Sequence, residues 1–150
     1  MILTLRQKFI NLILTFIQYL GFGIFLYMSP WMADGFILQF LEFSGIALAV
    51  WALLTMSKSK MNIAPQPLKE ATLITSGPYA IIRHPMYTSI ILAITPLIIS
   101  HWDSARFTFL MFLYLNLILK LLFEESLLLS HFDRYEEYMK RSWRIIPKVF

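Results

Sequence analysis

The chain has no cysteine, which excludes disulfides, thiolate metal sites and a cysteine nucleophile. Histidine is scarce as well. His84, His101 and His131 lie far apart in the sequence and, in the topology derived below, on both sides of a membrane, so no metal site is expected. Charged residues make up only 15% of the 150 positions, thin cover for a water-soluble surface. No internal repeat and no low-complexity segment is present, which argues against a solenoid.

Apolar residues, by contrast, make up 58% of the chain. An ordinary soluble domain has no interior large enough to hide them, so a single membrane-embedded domain over residues 1–150 is expected. The net charge of +4 could suggest nucleic acid. In a membrane protein, an uneven distribution of lysine and arginine between loops explains it better, and no nucleic-acid partner is expected.

The fold class expected is an all-α integral membrane protein with about four spans. Residues 9–28 are largely apolar, with Asn11 and Gln18 as the strongly polar members. This stretch is too long for a signal-peptide core, and the following Ser29-Pro30-Trp31 would be a poor cleavage site, so it reads as a retained span. Residues 36–56 form a second span carrying Glu42, and 57–83 a long polar, proline-containing loop. Residues 85–100 are short for a span and contain Pro96, which predicts a kink or tilt. Residues 105–123 form the fourth span, a helical hairpin with the third. Leu128, Phe132, Tyr135, Met139 and Trp143 then recur at three- and four-residue steps. That spacing predicts an amphipathic interfacial helix within the cytosolic segment 124–150. Of the 13 lysines and arginines, only Arg106 falls in an outer turn, so both termini and the 57–83 loop are expected on the cytoplasmic side. A bacterial inner membrane and the endoplasmic reticulum both fit.

The chemistry is expected around Gly77-Pro78-Tyr79-Ala80-Ile81-Ile82-Arg83-His84-Pro85-Met86-Tyr87. A residue before proline avoids the α region, so His84 marks a boundary and Pro85 a first helical residue. Arg83 and His84 would then sit at a helix N-terminus, where free N–H groups and the dipole favour an anion. The hairpin brings Glu124 and Glu125 to the same face, with Arg144 nearby. Carboxylates at the end of an apolar helix oppose its dipole and call for a cation, which a zwitterionic or sulfonium ligand would supply. Blander readings stand beside these. The glutamates could mark the membrane exit, Arg83 could anchor to lipid phosphate, His84 could be structural, and Tyr79 and Tyr87 could belong to an aromatic belt. Glu42, costly inside a span, is a weaker functional candidate with no evident cationic partner.

Gly77-Pro78-Tyr79, Arg83-His84-Pro85-Met86-Tyr87, Glu124-Glu125 and Phe132…Tyr135…Tyr138…Arg144-Ile145-Ile146-Pro147 together resemble the isoprenylcysteine carboxyl methyltransferase family, which belongs with the membrane phospholipid methyltransferases. The resemblance spans residues 62–147. Asp133 departs from it, standing where glycine is common. It implies a membrane enzyme using S-adenosylmethionine, with Tyr79, His84, Pro85, Tyr87, Glu124 and Glu125 binding that cofactor. It also implies that Arg83, Glu125 and Arg144 serve catalysis by positioning the cofactor or an acidic group of the substrate. The acceptor would be a lipophilic small molecule or prenylated substrate, or a membrane lipid, most simply an isoprenylcysteine-type carboxylate. Phospholipid amine methylation, a non-catalytic binding or assembly module and a sterol-type reductase are the alternatives. A reductase would need more basic residues for a nicotinamide cofactor's 2′-phosphate than lie near the motif. Nothing in the sequence gives the oligomeric state.

Overall fold

The structure, a computed structural model, describes residues 5–57 and 72–150. Most of the expected cytosolic loop, with Lys58, Lys60 and Lys69, lies outside the described residues. Among the described residues, five α-helices follow one another: α1 (Leu5–Met28), α2 (Phe36–Met56), α3 (Pro85–Ser100), α4 (Ser104–His131) and α5 (Tyr135–Lys140). A 3₁₀ turn, Gly77–Ala80, precedes α3. Among the described residues there is no strand, so the all-helical expectation is met.

Three of the helices, α1, α2 and α4, are long and apolar enough to cross a membrane, and α3 is a shorter apolar helix. At 1.5 Å per residue α3 is roughly 24 Å long, short of a hydrocarbon core of roughly 30 Å. It continues unbroken through the buried Pro96. Phe9, Phe16, Phe36, Phe40, Leu115 and Leu119 all face outward. Such a surface suits lipid and would aggregate in water. This is a membrane protein.

α2 and α3 approach closely at Gly45, which carries no side chain. A Cβ there would stand 2.7 Å from Ala93 N and 2.8 Å from Ser89 O. Small residues at such a crossing let backbones meet, which is how helices associate where burial from water offers no drive. On the other side α1 packs along α4, with Gly21 beside Phe109 and Asn116 Nδ2 donating to Leu14 O at 3.3 Å. Phe25, Ile94, Leu97, Ile98, Leu110 and Leu113 join α1, α3 and α4 in one apolar cluster. The hairpin of α3 and α4 is therefore present, but the tightest helix pair is α2 with α3.

Glu42 has a local partner. Its Oε2 accepts from Ala33 N at 3.0 Å, while Gln39 Nε2 donates to Ala33 O at 3.0 Å. Two side chains of α2 thus tie down the 29–35 turn, and the costly carboxylate serves that turn.

The C-terminal expectation requires correction. α4 does not stop at 123 but runs through Glu124 and Glu125 to His131. Both carboxylates have buried cationic partners and so need not leave the helix for water. Phe132 ends α4 in an extended conformation, and the expected long amphipathic helix is reduced to the six residues of α5. The chain then turns back beneath α3.

Candidate functional site

The motif is held by a strap. Arg83 N donates to Trp143 O at 2.7 Å, Trp143 N to Ile81 O at 2.9 Å and His84 N to Arg144 O at 3.0 Å. Ile82 and Trp143 form an isolated parallel bridge. Thr88 Oγ1 adds a bond to Ile145 O at 2.8 Å, and Tyr138 Oη one to Tyr79 O at 2.6 Å. The C-terminal segment is therefore part of the site. At the other end of the motif, Gly77 has φ 59°, and an added Cβ would stand 2.8 Å from Thr55 Oγ1 of α2. Only glycine adopts that backbone readily and fits that contact.

Inside the strap lies an ionic knot. Arg83 Nε donates to Glu125 Oε1 at 2.7 Å, and Arg144 Nε donates to Glu125 Oε2 at 2.9 Å. The Arg83 side chain is 6% exposed, and its Nη1 donates further to the carbonyls of Met139 and Ser142. One carboxylate thus joins three separate parts of the chain: the motif, α4 and the C-terminal segment. Charge-assisted bonds of this kind are the strong ones, and leaving either partner unmatched would be costly.

Glu124, one residue earlier, faces elsewhere. Its Oε1 lies 3.2 Å from Lys120 Nζ, one turn back on α4, and its Oε2 lies 3.8 Å from His84 Nδ1. His84 stacks on Tyr87 with centroids 5.4 Å apart, and Lys120 Nζ sits 5.5 Å from the Tyr87 ring centroid. These groups border a cavity of about 130 Å³, whose walls include Gln18, Tyr19, Tyr79, Ile90, Leu128 and Tyr135. Among the described residues, four buried polar atoms on its walls have no hydrogen-bond partner: Gln18 Oε1, Tyr79 Oη, His84 Nε2 and Tyr135 Oη. His84 Nε2 is 3.5 Å from Glu125 Oε1, without hydrogen-bond alignment. Native interiors seldom leave so many polar atoms unpaired in one place, and a polar ligand would satisfy them.

The phenols are un-ionised donors. Burial raises the pKa of Tyr79 and of Tyr135 well above the usual tyrosine value. Tyr138 is pushed up to about 12, chiefly by burial, with Arg83 pulling the other way.

Of the sequence-predicted residues, Tyr79, Arg83, His84, Pro85, Tyr87 and Glu124 line this cavity. Glu125 and Arg144 do not; Glu125 is held behind it in the knot, and Arg144 borders a second, more basic hollow of about 360 Å³ with Arg83, Lys140 and Arg141. The expected anion site at the start of α3 is also largely closed. Pro85 has no N–H, and the N–H groups of Tyr87 and Thr88 bond to His84 O at 3.0 and 3.2 Å. Arg83 cannot supply the missing charge, because its guanidinium turns to Glu125. Sequence reasoning did not single out Lys120, Gln18 or Tyr135 as site residues. Lys120 carried a signal, since a lysine four residues before a glutamate on an apolar helix is a ready ion pair.

A family profile described as phospholipid methyltransferase matches residues 35–134, two thirds of the chain. The chain belongs to the phospholipid methyltransferase family. It is therefore a membrane methyltransferase in class, which removes the ground for the reductase alternative. The phospholipid methyltransferase match takes in α2, the 3₁₀ turn, α3 and α4, with Lys120, Glu124 and Glu125. α1 and the strap residues 142–146 lie outside it. No curated protein and no solved structure matches the chain.

Proposed function

We propose that this protein transfers a methyl group from S-adenosylmethionine to a lipophilic acceptor at the cytosolic face of the membrane. The carrying observation is the cavity beside the motif, whose walls Glu124 shares with Tyr79 Oη, Tyr135 Oη and His84 Nε2, three buried atoms without a partner among the described residues. These residues fit a zwitterionic, cationic ligand. Glu124 takes an ammonium, and the un-ionised phenols donate to a carboxylate. When bound, the cofactor supplies a methyl group already activated on a sulfonium, so the protein's part is alignment and exclusion of water. Ile90 and Leu128 furnish apolar wall for that purpose. Arg83, Glu125 and Arg144 hold the strap over the site and shape it.

An isoprenylcysteine-type carboxylate is the simplest acceptor, because it is a nucleophile at neutral pH and needs no base. Phospholipid amine methylation is the second reading. The family's description supports it as well, and the His84 imidazole on the cavity wall is the candidate for the base that an amine acceptor needs. The apolar runs support four spans, and the distribution of lysine and arginine supports placing both termini and the 57–83 loop in the cytoplasm. The same topology puts Glu124 near the inner interface, since α4 at roughly 42 Å outreaches a core of roughly 30 Å.

Calorimetric titration of detergent-purified protein with S-adenosylmethionine and S-adenosylhomocysteine tests the proposal. Both should bind, and Glu124→Gln should weaken the former at least tenfold, roughly the loss of one charge-assisted hydrogen bond. Well-folded wild-type protein that binds neither in several lipids would overturn it.

A further inference from the structure

We infer that Lys120 of α4, with Gln18 of α1, forms an acceptor-recognition site for the anionic group of the lipophilic substrate. The inference rests on the methyl-transfer reading and assigns the cavity wall which that reading leaves unused. Lys120 is 6% exposed, within a helix apolar enough to cross a membrane. A cation in such a place is costly and usually marks a substrate or ion path. Its ammonium has three donors. Glu124 takes one, the Tyr87 ring faces the group without accepting a conventional bond, and capacity remains toward the cavity.

Charge balance points to an anion. The Arg83–Glu125–Arg144 knot carries one net positive charge, and Lys120 with Glu124 carries none. A bound sulfonium amino acid adds one more, so the low-dielectric site is complete only with an anionic acceptor. Once Glu124 turns to the cofactor's ammonium, Lys120 is the cation left without its partner. The start of α3 is the poorer place for the anion, because Pro85 has no N–H and the N–H groups of Tyr87 and Thr88 are bonded to His84 O.

Gln18 is the second, independent observation. It is 8% exposed, lines the same cavity and has a buried Oε1 with no partner among the described residues. Its amide can turn either end to a head group. Asn11 and Thr15, at seven and three residues before it, share its face of α1 and also carry unpartnered buried oxygens. This polar face belongs to α1, which lies outside the residues that the family profile matches.

The test compares binding of N-acetyl-S-farnesylcysteine with that of its uncharged methyl ester, by calorimetry on full-length protein in nanodiscs, both without cofactor and with saturating S-adenosylhomocysteine, whose ammonium draws Glu124 from Lys120. Wild type should prefer the carboxylate about tenfold, the worth of one charge-assisted hydrogen bond. Lys120→Met should abolish the preference, Lys120→Arg should keep it, and Gln18→Leu should weaken the acid a few-fold. S-adenosylmethionine should still bind Lys120→Met, since that variant leaves the Glu124 carboxylate in place and removes only the cation that competes for it. A second arm uses phosphatidylethanolamine against diacylglycerol in mixed vesicles. A Lys120-dependent preference confined to that pair would assign the anion to a phosphate. A charged-ligand preference absent from wild type in both arms, or surviving in Lys120→Met, would overturn the inference. Loss of S-adenosylmethionine binding by wild type alone would instead overturn the methyl-transfer reading and leave this comparison decisive.

Discussion

Replacing Glu125 by alanine should unfold the site before it touches the chemistry. The carboxylate is 4% exposed and accepts from Arg83 at 2.7 Å and Arg144 at 2.9 Å. Its removal leaves the 6%-exposed Arg83 guanidinium with carbonyl partners and no counter-charge. Breaking one side of a buried pair costs about 3–5 kcal/mol. Arg144 is 31% exposed and loses less, since water already screens it. For a chain of this size each kcal/mol moves the thermal midpoint by about 2–4 °C, so a fall of roughly 10 °C is expected for Glu125→Ala. Arg144→Ala should cost about 1 kcal/mol or less. The double variant Arg83→Met/Glu125→Leu should melt above Glu125→Ala, because it buries no orphan charge. Thermal unfolding in one detergent, followed by circular dichroism, reads all three. A Glu125→Ala midpoint within about 2 °C of wild type would refute the reasoning, as would a double variant weaker than the single one.

Further expectations concern the frame. Gly45→Ala should destabilise by about 1–3 kcal/mol, because its Cβ meets backbone of α3 at 2.7 Å, whereas Gly23→Ala, with nothing within 4 Å, should not; thermal midpoints compare them. Tyr138→Phe should cost about 1–3 kcal/mol by stranding the buried carbonyl of Tyr79, an effect readable by the same melt. The raised pKa of Tyr138 means that the folded state favours the protonated phenol. Its contribution to stability is complete below the ordinary value of 10.0 and is lost as pH rises through about 12, which alkaline unfolding curves of wild type and Tyr138→Phe should separate.

Much of the frame was legible because prolines and apolar runs act locally. Pro85 places the start of α3 by its own geometry, and the long apolar stretches mark α1, α2 and α4. The motif residues converge because α3 and α4 are joined by a short turn. What escaped depends on distant partners. α4 runs through Glu124 and Glu125 because Arg83 and Arg144, 42 and 19 residues away from Glu125, neutralise it. Adjacent residues on a helix point roughly 100° apart, so one glutamate faces the cavity and the other the knot. Nothing local reveals which. The anion site expected at the start of α3 is largely closed for a similar reason, since the N–H groups of Tyr87 and Thr88 fold back onto His84 O. Gln18 carried a faint signal, being polar within an apolar span, but its place on the cavity wall depends on how α1 packs along α4.

The most direct measurement is a structure of the protein in lipid with S-adenosylhomocysteine bound. The ligand should lie in the cavity beside Tyr79, His84 and Glu124, with its ammonium on Glu124 and the Arg83–Glu125–Arg144 knot intact. Ligand density in the basic hollow around Lys140, Arg141 and Arg144, with the Glu124 cavity filled by lipid or water, would contradict the account.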